Sequence, residues 1–246
     1  NVAVGTGALY SVTTGYANTA IGSLSQYAAT GIANTAVGGG TLASVSGQNN
    51  SAFGHGVLNA TTSGSYNAAF GSGVYGAYTS TLGNNTTGNY NSAFGVMALS
   101  LNTTASASTA VGYQAGYTNS TGQNSTFIGY RAGYSSVGNA GTSAQTIIGA
   151  DAGYSLTTGT TNTFVGKDSG FYVTTGSANT IIGKFTGNQG GLDIRTSSNY
   201  IVLSDGDGNP RGIFDSSGNL GVGTTSPGGK LEVSRSEEHT SELQSH

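Results

Sequence analysis

A pentapeptide ending in glycine returns eleven times along the chain: NVAVG, NTAIG, NTAVG, NSAFG, NAAFG, NSAFG, STAVG, STFIG, QTIIG, NTFVG and NTIIG. Its glycines are Gly5, Gly22, Gly38, Gly54, Gly71, Gly95, Gly112, Gly129, Gly149, Gly166 and Gly183, at intervals of 17, 16, 16, 17, 24, 17, 17, 20, 17 and 17 residues. Such a period marks a unit that cannot bury its own apolar face and must stack on its neighbours. A unit of 16 or 17 residues is too short for a helical hairpin, and its Gly, Asn, Ser and Thr disfavour helix. The expected fold is therefore all-β. It is a parallel β-solenoid, or β-roll, of about eleven coils with two or so short strands each, followed by a short β-meander cap. At about 4.8 Å per coil the stack makes a rod roughly 50 Å long.

A second glycine precedes the anchor by seven residues in eight of the ten later copies, at Gly15, Gly31, Gly47, Gly64, Gly88, Gly122, Gly159 and Gly176. The segment between the two glycines thus has fixed length, and the longer intervals place their extra residues in the loop after the strand. The residue before the anchor is always Val, Ile or Phe: Val4, Ile21, Val37, Phe53, Phe70, Phe94, Val111, Ile128, Ile148, Val165 and Ile182. Alternation along a strand points all of these one way, and they are assigned to the coil interior as a core ladder. One place earlier stand Ala3, Ala20, Ala36, Ala52, Ala69, Ala93 and Ala110, then Phe127, Ile147, Phe164 and Ile181. A strand that is apolar on both faces is covered on both faces, so this second column is assigned to contact between sister chains. The change from Ala to Phe or Ile then reads as close approach in seven coils and a wider gap in four. Thr dominates the next position and is expected to pack beside the core ladder.

Asn stands four before the anchor in eight copies, among them Asn18, Asn34, Asn50, Asn67, Asn91, Asn162 and Asn179. Stacked identical amides can hydrogen-bond along the rod, a structural role.

Composition narrows the function classes. Gly numbers 43 of 246, charged residues are 7% and there is no Cys, which excludes disulfide and thiolate-metal frameworks. No Asp, Glu, Lys or Arg occurs before Arg131, so no basic groove for nucleic acid exists there, and no apolar run approaches a membrane span. From Ser234 the chain turns abruptly charged, and from Arg235 it reads like a translated sequencing-library adapter. Residues 234–246 are set aside as an artefact, with the expectation that the natural chain continues differently. Without them Lys plus Arg is 6 and Asp plus Glu is 7.

NTAVG, STAVGYQAGY and NSTFIGYRAGY resemble the repetitive shafts of phage tail-fibre proteins and, more distantly, the S-V-A-I-G repeats of trimeric autotransporter adhesin heads. The resemblance covers residues 1–187. The stretch from Asn199 to Val233, above all GNLGVGTTSP, resembles the lead-in to a self-cleaving intramolecular chaperone in tail fibres and spikes. It reads as short strands at Tyr200 to Ser204, Arg211 to Asp215 and Leu220 to Val222, with turns at DGDGNP and SSGN. Residues 188–233 would cap an otherwise adhesive edge. The resemblance implies a homotrimeric structural shaft in a virion tail, supporting attachment to a host cell-surface carbohydrate or protein. The alternatives are a bacterial surface adhesin and, less favoured, an ice-binding solenoid on its Thr columns, against which the 24- and 20-residue intervals count.

Catalytic chemistry finds little footing. Outside the tail the single His is His55, without a partnered base in its motif. Asp205 to Asn209 opens like a calcium loop, but Pro210 replaces the required Gly and Ser216 the bidentate Glu, so a hairpin turn is expected. Asp151 and Asp168 share a column with Arg131, beside Lys167 and Lys184, and read as a surface charge ladder. No enzyme activity, cofactor or metal is expected. The sequons at Asn59, Asn85, Asn102 and Asn119 follow from composition. The 24-residue interval supplies one candidate glycan-binding loop, with Tyr75, Tyr78, Asn84, Asn85 and Tyr90.

Overall fold

The computed structural model describes residues 1–28, 30–43, 45–73, 79–138 and 143–234. Each repeat forms one three-residue strand: β1 (Val2–Val4), β2 (Thr19–Ile21), β3 (Thr35–Val37), β4 (Ser51–Phe53), β5 (Ala68–Phe70), β6 (Ser92–Phe94), β7 (Thr109–Val111), β8 (Thr126–Ile128), β9 (Thr146–Ile148), β10 (Thr163–Val165) and β11 (Thr180–Ile182). They pair in parallel, in chain order, as a β-solenoid. No helix occurs among the described residues. Register holds through both long intervals, with Ala69 opposite Ala93 and Phe127 opposite Ile147. After the longer interval the chain is again in the stack at Leu82, whose N–H donates to the Ala98 carbonyl. Among the described residues, the rest of each coil from β1 to β11 is turns, not further strand. These turns also bond from coil to coil, as from Leu99 N–H to the Ala115 carbonyl and from Ser155 N–H to the Phe171 carbonyl.

The two apolar columns face opposite to the sequence expectation. Ala20, Ala36, Ala52, Ala69, Ala93, Ala110, Phe127, Ile147, Phe164 and Ile181 are fully buried inside the coil, and only Ala3, on the open first coil, is exposed. Their neighbours Val4, Ile21, Val37, Phe53, Phe70, Phe94, Val111, Ile128, Ile148, Val165 and Ile182 point outward; Val111 keeps 40% of its surface exposed. Thr19, Thr35, Thr109, Thr126, Thr146, Thr163 and Thr180 share that outer face, half-buried.

The reason lies four residues after the anchor. Leu42, Leu58 and Leu99 occupy that corner of the coil, as does Leu82, eleven residues after Gly71 in the long interval; all are fully buried, and the corner turns inward through a left-handed backbone with φ of 50–52°. The later coils place Gly116, Gly133, Gly153 and Gly170 there, with φ of 56–63°. Small strand residues therefore go with a large corner and large strand residues with a bare one, except in the coil of β7, where Ala110 goes with Gly116 and Phe127 of the next coil reaches into the corner. A Cβ on Gly116 would stand 2.6 Å from Phe127 Cδ2 and 3.0 Å from Leu99 Cδ2, so the Phe127 ring and Leu99 fill that corner. The change from Ala to Phe or Ile is thus a volume exchange within one core, as close packing requires, and not a change in the distance between chains.

The asparagine column closes the interior along one edge. Asn34 Oδ1 accepts the Asn50 backbone N–H at 2.9 Å, and its Nδ2 donates to the Gly47 carbonyl at 2.9 Å. The same pattern joins Asn18, Asn50, Asn67, Asn91, Asn162 and Asn179 to the coil that follows each. Ser108 and Ser125 interrupt it, and Ser108 Oγ reaches the next N–H only at 3.5 Å. Replacing Asn34 by Ala strands a buried N–H and a buried carbonyl, each costing about 1–3 kcal/mol; a loss of about 2–5 kcal/mol is expected in equilibrium urea unfolding. Ser125→Asn restores the pattern and is expected to raise the midpoint.

The stack does not end at β11. Thr180, Ile181 and Ile182 pair in parallel with Ile201, Val202 and Leu203 of β14 (Ile201–Ser204), which makes a twelfth rung. The hairpin of β12 (Asn188–Gln189) and β13 (Leu192–Asp193) lies within this last coil, whose Phe185, Ile194 and Val202 are buried. β15 (Pro210–Phe214) and β16 (Leu220–Val222) then run antiparallel, and β17 (Leu231–Val233) pairs in parallel with β16. The meander continues the same sheet.

Candidate functional site

The largest continuous chemical feature is the outer face of the sheet. Side chains two apart on a strand share a face, so the Thr column and the Val/Ile/Phe column run side by side along the rod. No charged side chain occurs in either column from β1 to β11. Phe53, Phe70 and Phe94 stack on one another, with ring centroids 4.6 and 4.9 Å apart. Leu203 extends the stripe beyond Ile182. Each side chain is covered by its neighbours above and below and bare in the outward direction.

A second set of columns is aromatic. Tyr117, Tyr134, Tyr154 and Phe171 stack with centroids 5.0–5.1 Å apart and planes within 10°; burial among these rings raises the Tyr134 pKa. Tyr113 lies on Tyr130, and Tyr66 on Tyr90. The Arg131 guanidinium sits over Tyr130 and Tyr154, 4.8 and 4.7 Å from their centroids, and its Nε is 2.8 Å from Asp151 Oδ1. That bond raises the pKa of Arg131. Lys167 stands 3.7 Å from Asp168, so Asp151 and Asp168 each lie against a cation, in the geometry of a charge ladder.

Of the candidate glycan loop, the described residues include Asn84, Asn85 and Tyr90. Tyr75 and Tyr78 lie outside the described residues, as do residues 235–246 of the tail. Asn85 is fully buried and donates to the Gly88 carbonyl at 3.0 Å. Asn84 donates to the Ser100 carbonyl at 2.9 Å, and Tyr90 is stacked on Tyr66. Asn85 therefore presents nothing to a sugar: its corner turns into the coil, as do those of Asn102 and Asn119, also fully buried. Glycan attachment at these three sequons is sterically closed.

The DGDGN segment is a turn. Asp205 Oδ1 accepts the backbone N–H groups of Asp207 and Asn209 at 3.0 and 2.9 Å, and its Oδ2 binds Arg211. These bonds, that from the Asn209 N–H foremost, hold the Asp205 carboxyl well below the usual carboxylate range. Asp215 to Asn219 repeats the arrangement. Among the described residues no three His, Asp or Glu side chains gather as a metal-ligand group, and His55 stands exposed beyond β4.

One open cavity of about 360 Å³ lies beside the last coils, lined by Ser155, Tyr172, Thr174, Asp193, Arg195 and Thr196. Nothing in the repeat pattern marks it, because Asp193, Arg195 and Thr196 come from the non-repeating segment after β11. No family model, curated protein or solved structure matches the chain.

Proposed function

We propose that the chain is a structural, non-enzymatic shaft that assembles with two further copies of itself into a homotrimeric fibre carrying a host-attachment function, as in a phage tail. The observation that carries this reading is the uncharged outer stripe. The stripe runs over eleven rungs, with Ile21, Phe70, Phe94, Val111, Ile128 and Ile182 each more than a third exposed, and a stable interface takes roughly 800 Å² of such surface per partner. Apolar surface of that extent on a monomer marks an association site. Identical chains around an axis parallel to the rod place the same stripe of each at the centre, where every rung meets its counterparts. The likeness of GNLGVGTTSP to a tail-fibre chaperone lead-in supports the attachment role.

Sedimentation equilibrium tests the assembly. A mass three times the 24.3 kDa chain is expected; a monomer overturns the reading, and a dimer overturns its three-fold form. Ile128→Lys, on the outer face, is expected to yield monomers with an unchanged far-ultraviolet spectrum, because its side chain takes no part in the coil interior.

The constant register across the 24- and 20-residue intervals removes the objection that they break a Thr array, and so favours the ice-binding reading more than the sequence did. Phe53, Phe70 and Phe94 nonetheless rise in the middle of the same face, where a flat lattice of small side chains is needed. Thermal hysteresis near zero is the expected result.

A further inference from the structure

Beside the aromatic column, at the last coils, one ring stands outside the stack. In the stack from Tyr117 to Phe171 each ring covers the face of the next, so that only edges meet solvent. Tyr172 instead meets Phe171 edge-on, at 77° with centroids 4.8 Å apart, and it is 53% exposed. It stands above Ser155 in its column, with no ring of another coil over it.

The hairpin of β12 and β13 brings a second group to the same place. Arg195 Nε and Nη2 grip Asp193 Oδ1 and Oδ2 at 3.0 and 2.7 Å, and this bond holds the Asp193 carboxyl below its usual pKa. The pair uses two of the five guanidinium donors, and with the Arg195 backbone N–H, which also donates to Asp193 Oδ1 at 3.1 Å, three carboxylate lone-pair sites, and leaves the others to a ligand. Thr174 is held to this segment by its hydroxyl, which donates to the Arg195 carbonyl at 3.2 Å. The Ser155 and Thr196 hydroxyls complete the wall.

We propose that this cavity binds a neutral saccharide of one or two pyranose rings. The apolar C–H face of the sugar lies on the Tyr172 ring, and its hydroxyls bond to the Asp193–Arg195 pair and the neighbouring hydroxyls. The pair carries no net charge, which selects a neutral ligand over a phosphate or sialic acid. A cavity of about 360 Å³ lies at the lower end of small-ligand sites, a size suited to a mono- or disaccharide. The site gives the proposed attachment role a ligand class, but its lining residues lie outside the stripe assigned to assembly, so mass and sugar binding can fail independently.

Saturation-transfer NMR with lactose, maltose and N,N′-diacetylchitobiose, each to about 10 mM, tests the site on the whole chain. Transfer to the ring protons of at least one sugar is expected. Its dissociation constant should rise tenfold or more in Tyr172→Ala and remain unchanged in Tyr16→Ala, which removes an exposed ring from the first coils of the rod. No transfer from any of the three sugars overturns the proposal, and so does binding that survives Tyr172→Ala. Unchanged thermal unfolding of Tyr172→Ala separates loss of the site from loss of the fold.

Discussion

Gly95→Ala is expected to cost more than 4 kcal/mol, about the threshold above which a single substitution is exceptional, and to open the stack between β6 and β7. Gly95 closes its strand with φ of +128°, a conformation essentially confined to glycine. A Cβ there would lie 2.6 Å from the Gly112 carbonyl oxygen and 2.7 Å from its carbon. Both atoms are main chain, and the Gly112 N–H is committed to the Phe94 carbonyl, so the neighbouring coil cannot withdraw without breaking its own bonds. Stacked repeats share stability with their nearest neighbours. The damage should therefore appear as proteolytic cleavage near residues 95–112, with the distant Asn162 and Asn179 amides still protected from hydrogen exchange. Stability within about 1 kcal/mol of the parent would show that the coils are not stacked at this spacing.

Phe127→Ala is expected to cost about 3–5 kcal/mol, the range for deleting a buried aromatic ring. Phe127 is fully buried and fills the space left by Gly116 on one side and Gly133 on the other. The exchange of volumes within the core makes a sharper claim about the double variant. Phe127→Ala with Gly133→Leu recreates the Ala and Leu pairing of the earlier coils, where Leu42, Leu58 and Leu99 tolerate the same left-handed corner. It should recover at least half of the loss, although leucine in that conformation costs about 1–2 kcal/mol. Gly133→Leu alone would drive a side chain into the Phe127 ring and should destabilise. Additive losses in the double variant would overturn the pairing of these two positions; contacting residues are expected to couple.

The same pairing explains how much of the fold was legible. The strand positions follow from the intervals between Gly5 and Gly183, because a covalent period maps directly onto a stacking period. The Asn18 to Asn179 column follows as well, since equal spacing from the anchor stacks these residues coil on coil, although each amide bonds chiefly to the backbone of the next coil. The direction of the two apolar columns did not follow. A three-residue strand such as Thr-Ala-Val or Thr-Phe-Ile is apolar on both sides, and alternation alone is unchanged when inside and outside are exchanged. The deciding signal was present in the change from Leu42, Leu58 and Leu99 to Gly116, Gly133 and Gly153, one coil ahead of the change from Ala to Phe or Ile. It becomes readable once those corners are known to lie opposite the strand.

The candidate sites divide in the same way. The charge ladder of Arg131, Asp151 and Asp168 is a property of position within the repeat, whereas the cavity at Tyr172 joins a repeat residue to a hairpin that obeys no period.

From its amino acids alone, then, this protein is committed to stacked glycine-cornered coils, because a short unit poor in large side chains has no other way to cover its apolar atoms. Only the tertiary structure decided which column is core and which is stripe. The left-handed corners set the sense in which each coil closes, and closure determines the side on which Ala and Leu, or Phe and Gly, share one interior volume.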